Sequence, residues 1–197
     1  LIDLPLSPAP RGVTPTPVDF GALLEGPLGG ETQRVERQGS RWAVQVDMPP
    51  MKHPTDGRVF VSRLVRGISE GVRMAFPLLG FDPGAPGSAV VSGSGQSGRT
   101  LNIKSATAGY VFKEGQFFSL VRAGRHHLYQ VGTDATVSGG GTATLSIWPM
   151  LRAQHLDGDV LHVVQPMIEG YVAADQLAWE MALGDFTSLS FTIREAA

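Results

Sequence analysis

Hydrophobic and polar residues alternate along much of this chain with a period of two. In RWAVQVDM, residues 41–48, the side chains of Trp42, Val44, Val46 and Met48 fall on one side. Arg41, Ala43, Gln45 and Asp47 fall on the other. That is the pattern of a strand with one buried face. The same reading predicts strands over 71–77, 160–166 and 167–174. Further on, Leu177, Trp179, Met181 and Leu183 alternate with Ala178, Glu180 and Ala182, and Leu189, Phe191 and Ile193 oppose Ser188, Ser190, Thr192 and Arg194. Gly184-Asp185 between these two runs reads as a two-residue hairpin turn. One stretch departs from the alternation. After Thr55 or Asp56 as a cap, Phe60, Leu64 and Ile68 recur at helical spacing, joined by Val61 and Val65. This predicts a helix to about residue 69, with Gly67 weakening its last turn.

Between residues 85 and 155 the strands are shorter and the turn signals denser. RTLNIK, QFFSLVRAGRHHLYQV and TATLSIWPML form strands, with Phe118 and Leu120 on the core side and tight turns at RAGR (122–125) and SGGGT (138–142). Residues 1–30 hold many of the prolines, which exclude a helix or a central strand there. The predicted organisation is an extended proline-rich arm over 1–30 and a β core with one helix from 31–84 and 156–197. A small β-barrel or sandwich unit over 85–155 is inserted into that core. The fold class is mainly β: an antiparallel sandwich or barrel core with one short helix and a second small β unit. No internal repeat is visible.

Composition narrows the classes. The chain has 197 residues and 42% of them are hydrophobic, enough to build a core. Only 17% are charged, which suits a surface partly covered by partners and equally a loop-rich domain. The net charge of −2 and the absence of a basic run give no long-range attraction to nucleic acid. There is no cysteine, which excludes disulfides, thiolate metal sites and a cysteine nucleophile. No apolar run reaches membrane-spanning length. The opening LIDLPLSPAP is interrupted by prolines and lacks a basic start, so it does not read as a signal peptide.

The stretch SGSGQSGRT (92–100) is the strongest candidate for chemistry. Gly93, Gly95 and Gly98 spell G-x-G-x-x-G, and Gly93 to Thr100 is one residue from a P-loop, with Arg99 in place of lysine. Both motifs must open a helix whose N-terminus holds phosphate. The alternation of Leu101 and Ile103 with Asn102 and Lys104 predicts a strand there instead. Arg99 is also no substitute for a compact ammonium. The stretch therefore reads as a mobile loop leading into the second β unit. His53, His126, His127, His155 and His162 lack chelating spacing, and strand neighbours such as His126 and His127 face opposite ways. Asp157, Asp159, Glu169 and Glu180 are scattered, and the DGD at 157–159 lacks the rest of a calcium loop. Ser94 and Ser97 do not form a nucleophile elbow. Tyr110, Phe117, Tyr129 and Trp148 are candidates for a stacking face, but core packing is the favoured use of most of them. No catalytic, cofactor-binding or metal-binding residue is assigned, and the chain does not read as an enzyme.

Several stretches together carry a family resemblance. TPVDFGALLEGPLGG is followed by QRVERQGSRWAVQVDMPPM, then by GRVFVSRLVRGISEGVRMAFP and GFDPGAPGSAVV. LNIKSATAGYVFKEGQFFSLVRAGRHHLYQV is closed by GTATLSIWPMLR, and PMIEGYV and LSFTIREA complete the series. Across nearly its whole length the chain resembles the distal tail proteins of siphophages and prophages, including those of alphaproteobacterial phages and gene-transfer-agent-like particles. The resemblance implies a virion protein of the tail tip, assembled in the bacterial cytoplasm. It implies self-association into a ring, usually a hexamer, that joins the tail tube to the hub or baseplate. It brings no catalytic residue or cofactor, no nucleic-acid contact and no membrane span. Larger members carry an extra carbohydrate-binding domain, for which the 85–155 unit is small. The alternative reading is a module that binds the host surface or fibres, and a P-loop-like nucleotide-binding enzyme ranks third.

Overall fold

A computed structural model describes residues 1–26, 29–182 and 185–196. The first part of the chain supplies β1 (Ile2–Asp3), β2 (Gly12–Val18), β3 (Ala22–Leu24), β4 (Gln33–Val35), β5 (Arg41–Asp47) and β6 (Met51–Lys52), then helix α1 (Arg58–Glu70) and β7 (Val72–Ala75). The middle supplies β8 (Gly87–Val91), β9 (Thr100–Ala106), β10 (Val111–Phe112), β11 (Phe117–Arg122), β12 (Arg125–Val131), β13 (Ala135–Thr136), β14 (Ala143–Trp148) and β15 (Leu161–His162). The last part supplies β16 (Met167–Val172), β17 (Ala178–Ala182) and β18 (Phe186–Glu195). Among the described residues the protein is mainly β, antiparallel apart from the β1–β7 pair, with one α-helix, two large β units and two small two-stranded sheets, β3-β4 and β10-β13.

The first unit is a sheet in the order β1-β7-β16-β18-β5-β2. Its axis is β18, the longest strand. One side of β18 pairs with β16 and then β17, and the other with β5 and then β6. The predicted alternation is met here: Trp42, Val44, Val46, Leu189, Phe191 and Ile193 are all buried in one core. Helix α1 packs on that face through Phe60 and Leu64, with Phe60 against Phe191 at 5.9 Å between ring centroids. The predicted turn at Gly184 and the placement of Leu183 lie outside the described residues.

The second unit is a six-stranded sheet in the order β15-β11-β12-β14-β9-β8. A bridge between Val90 and Val160 joins its two ends, so it is a nearly closed barrel. Phe118, Leu120, Tyr129, Val131, Leu145 and Ile147 fill it. The RAGR turn is formed as expected, with φ of 50° at Ala123 and 77° at Gly124, the left-handed pair that a two-residue hairpin of this twist requires.

Three expectations need correction, and the proline-rich arm finds its place. The barrel does not stop at 155, because Leu161–His162 pairs with β11 and belongs to it. The proline-rich arm over 1–30 is extended but lies on its own sheet. Residues Gly12–Val18 form the edge strand beside β5, where Pro15 and Pro17 can face solvent without breaking a ladder, and Ile2 and Leu4 are buried. Neither Thr55 nor Asp56 caps α1. A wide helical turn over His53–Gly57 leads in, without a side-chain cap. Finally, Gly67 rather than Ile68 faces the core. A Cβ at Gly67 would overlap Val72 Cγ1 and lie 3.1 Å from Val172 Cγ2, so glycine is what lets the helix approach the sheet. Ile68 and Val65 are left exposed.

Candidate functional site

The two units meet along a polar seam. Strand β12 runs past the end of β14, which pairs only with Gln130 and Val131. The N–H groups of His126 and Leu128, on that open edge, have no strand to donate to. Two glutamates of the first sheet accept them. His126 N donates to Glu169 Oε2 at 3.2 Å and Leu128 N to Glu195 Oε1 at 2.6 Å. The glutamates sit on neighbouring strands, since Gly170 pairs with Glu195. Each has its own arginine: Arg73 at 3.0 Å from Glu169, and Arg152 at 2.5 Å from Glu195. Arg73 also donates to the Gly124 carbonyl in the hairpin of the barrel, and Trp42 N donates to Glu195 Oε2. Glu195 continues the inward series Leu189, Phe191, Ile193. Its signal in the sequence is a carboxylate in phase with an apolar series.

Burial pushes the Glu195 carboxyl up, against the pull of Arg152 and the two backbone N–H groups. Burial also works against the charge on Arg152, and Glu195 overrides it. Three donors converge on two oxygens, which fits an ionised carboxylate. Around this pair lie Tyr129, whose ring stacks under Arg152 at 5.5 Å, and His127 and His155, with ring centroids 6.0 Å apart. Nδ1 of His155 faces Asp159 Oδ2 at 3.2 Å. Burial first, then Arg152, holds His127 down at about 3.

Unfolded His127 takes a proton near pH 6.5, and the folded protein refuses it until about pH 3. Its contribution is therefore fully present above pH 6.5 and is lost as pH falls. The expected loss between pH 6.5 and pH 4 is on the order of 3 kcal/mol. Urea unfolding at the two pH values measures it. The variant His127→Phe should show a clearly flatter dependence, and an unchanged one would remove His127 as the cause.

The glycine stretch is tied down rather than mobile. Gln96 Nε2 donates to the Ser92 and Asn102 carbonyls and its Oε1 accepts Asn102 N. Gly93 N donates to Asp157 Oδ1 at 2.7 Å and Gly95 N to the His155 carbonyl. These donors already face a carboxylate and a carbonyl of the protein. Arg99 pairs with Glu36 at 2.6 Å, and the strand β9 begins at Thr100. Glycines 93, 95 and 98 all have φ in the left-handed region, which explains their number without a phosphate.

The scattered carboxylates each have a structural partner or none: Asp157 binds Lys104, Asp159 faces His155, and Glu169 binds Arg73, whereas Glu180 is exposed on β17. The His126 and His162 rings lie 5.0 Å apart, tilted by 56°, and His53 Nδ1 faces Thr187 Oγ1. Among the described residues no group of three or more His, Asp or Glu is placed to hold a metal ion. The candidate stacking face is not assembled. Tyr129 is fully buried, and Phe117 and Trp148 pack edge-on against Trp42. Tyr110 packs on Phe112 and donates to the Pro83 carbonyl.

The exposed aromatics are others: Phe20, Tyr171, Trp179 and Phe186. Trp179 and Phe186 belong to the β17–β18 hairpin. There β7 no longer flanks the sheet, and among the described residues β17 pairs only with β18. Trp179 and Met181 point to the core side, opposite Leu189 and Thr187, but the hairpin overhangs the core and they stay 42% and 66% exposed. Phe20 and Tyr171 lie at the other end of β18. With Arg41, Gln45, Thr192 and Arg194 they line an open cleft of about 640 Å³. A second, proline-lined groove of about 380 Å³ runs between residues 5–10 and Phe76–Pro83. No helix among the described residues is long and apolar enough to cross a membrane. No protein-family model matches the chain, and no curated protein matches it.

Proposed function

We propose that the protein is a structural component of a phage tail tip that self-associates into a ring and joins the tail tube to the hub or baseplate. The observation that carries this reading is the β17–β18 hairpin. An open strand edge bearing exposed Trp179 and Met181 is the kind of surface that subunit contacts cover. The opposite edge strand, β2, carries Pro15 and Pro17, which blunt it against pairing. Resemblance to distal tail proteins supplies the kind of assembly. A ring needs two different surfaces that meet head to tail, and it needs a rigid protomer. The buried Glu169 and Glu195 staples supply rigidity by fixing the barrel to the sheet. In this reading the protein acts without catalysis and resides at the tail tip of the virion.

Mass photometry of the purified protein, alone and with tail tube and hub proteins, tests the reading. The expected result is a ring, a hexamer by the resemblance, or its capture by the tube or hub. A monomer under all three conditions overturns it.

A further inference from the structure

We infer that the β17–β18 hairpin of one copy docks into the cleft formed by Phe20, Arg41, Tyr171 and Arg194 on a second copy. The inference rests on the ring reading above and names the two surfaces that the ring would use.

The first argument is placement. The hairpin opens at Phe186, the first residue of β18, and the cleft is lined by Thr192, Arg194 and Glu195 at its end. Trp179 stands opposite Leu189 and Met181 opposite Thr187, five and seven residues of strand from Arg194, or roughly 17 and 23 Å. Trp179 and Met181 also face the core side, whereas Arg41, Gln45 and Arg194 face the other. The anchors and the cleft therefore do not meet within a copy, and each copy keeps one hairpin and one cleft, which is the condition for a chain that closes into a ring.

The second argument is chemistry. The hairpin offers an indole, a carboxylate and a thioether in succession at Trp179, Glu180 and Met181, with Glu180 on the face opposite the other two. The cleft offers two guanidinium groups and two aromatic rings. Arg41 already stacks on Phe20 at 5.0 Å and donates to the Glu195 carbonyl, which fixes its plane beside the opening. Trp, Met, Tyr, Phe and Arg are the residues that interface cores favour, and an indole over a guanidinium is the strongest side-chain cation–π pair. Glu180 meets Arg194 as an opposite charge. Asp175 stands 3.7 Å from Arg194, but both side chains are more than half exposed, so that pair is weak and readily exchanged. At the hairpin end, Lys52 pairs with Phe186 from the far side of β18, away from β17; Arg11 lines the same depression as Glu180, and among the described residues no ion pair holds Glu180. The volume of about 640 Å³ takes a large side chain with its neighbours.

Two variants test the pairing. One removes the hairpin anchors, Trp179→Ser with Met181→Ser. The other inverts the cleft, Arg194→Glu with Tyr171→Ser. All four side chains are substantially exposed, and unchanged thermal transitions confirm that both variants fold. Sedimentation velocity then reads the assembly. The wild type is expected to assemble, and each variant alone to weaken association by roughly 30-fold or more. Mixed one to one, the variants should form a dimer and nothing larger, because one intact hairpin and one intact cleft remain. Charge exchange, Glu180→Arg with Arg194→Glu in a single chain, should restore assembly that Arg194→Glu alone weakens. If either double variant assembles like the wild type, or the mixture stays monomeric, the inferred contact is overturned while the ring reading stands. If the wild type stays monomeric even with tube and hub proteins, both fall.

Discussion

Gly170→Ala should prevent the first sheet from closing. Gly170 sits in β16 between β7 and β18, with φ in the ordinary range. A Cβ there would lie 2.7 Å from both the Arg194 carbonyl carbon and the Glu195 Cα, and closer still to the Arg194 oxygen. All three are backbone atoms of the central strand, so no side-chain rotation relieves the overlap. Extra methyl groups in tight cores cost about 1–3 kcal/mol where neighbours can shift. Here the ladder itself must separate, and it carries Glu195 into the seam. The expected loss exceeds about 3 kcal/mol, read as the urea midpoint or as failure to fold. Gly139→Ala is the control. No atom stands within 4 Å of its Cβ position, and its effect should stay within about 0.5 kcal/mol. Equal behaviour of the two variants would mean that β16 and β18 are not packed this closely.

Glu195→Gln is expected to cost about 3–5 kcal/mol, because it leaves the Arg152 guanidinium buried without a counter-charge. The amide oxygen keeps one acceptor for Leu128 N or Trp42 N, so most of the loss belongs to the stranded charge. Adding Arg152→Met removes that charge and should recover most of the stability, since well-packed apolar side chains can match a buried pair. Chemical denaturation of the two single variants and the double variant gives the coupling directly. Additive losses would show that the pair is not the element that joins the units. The two experiments separate shape from charge at one place, since Gly170 and Glu195 are paired residues.

Much of the fold was legible because one face of each long strand is buried and period two records this. Trp42, Val44 and Val46, and Leu189, Phe191 and Ile193, all lie where the alternation put them. The strand after Gly98 was legible for the same reason, and it removed the helix that a phosphate site would need. What could not be read depends on contacts between distant segments. Leu161–His162 alternates equally well in either unit, and only closure of the barrel by Val90 and Val160 assigns it. The place of Gly67 on the core face depends on how closely Val72 and Val172 approach the helix. The arm over 1–18 had the composition of an edge but not the identity of its neighbour, β5. Of the candidate aromatics, Tyr110, Phe117, Tyr129 and Trp148 serve the packing that competed with a stacking face, whereas Trp179 stood only as one residue in an alternating series. Its exposure arises because the sheet extends beyond the layer that should cover it, and no local pattern records where a layer ends.

The long strand β18 also sets the order of events during synthesis. Every strand of the barrel lies between Gly87 and His162, so the barrel can close while β16 to β18 are still in the ribosome. The sheet cannot. Its axis, β18, follows β1 to β17 in the chain, and until Phe186–Glu195 emerges, β5 and β16 have no common partner. The nascent chain thus carries a finished barrel beside an unfinished sheet, and Glu195 reaches Trp42 and Leu128 only after β18 is made. That makes β18 the latch of the two units. A copy becomes competent to join its neighbours only after that latch has shut.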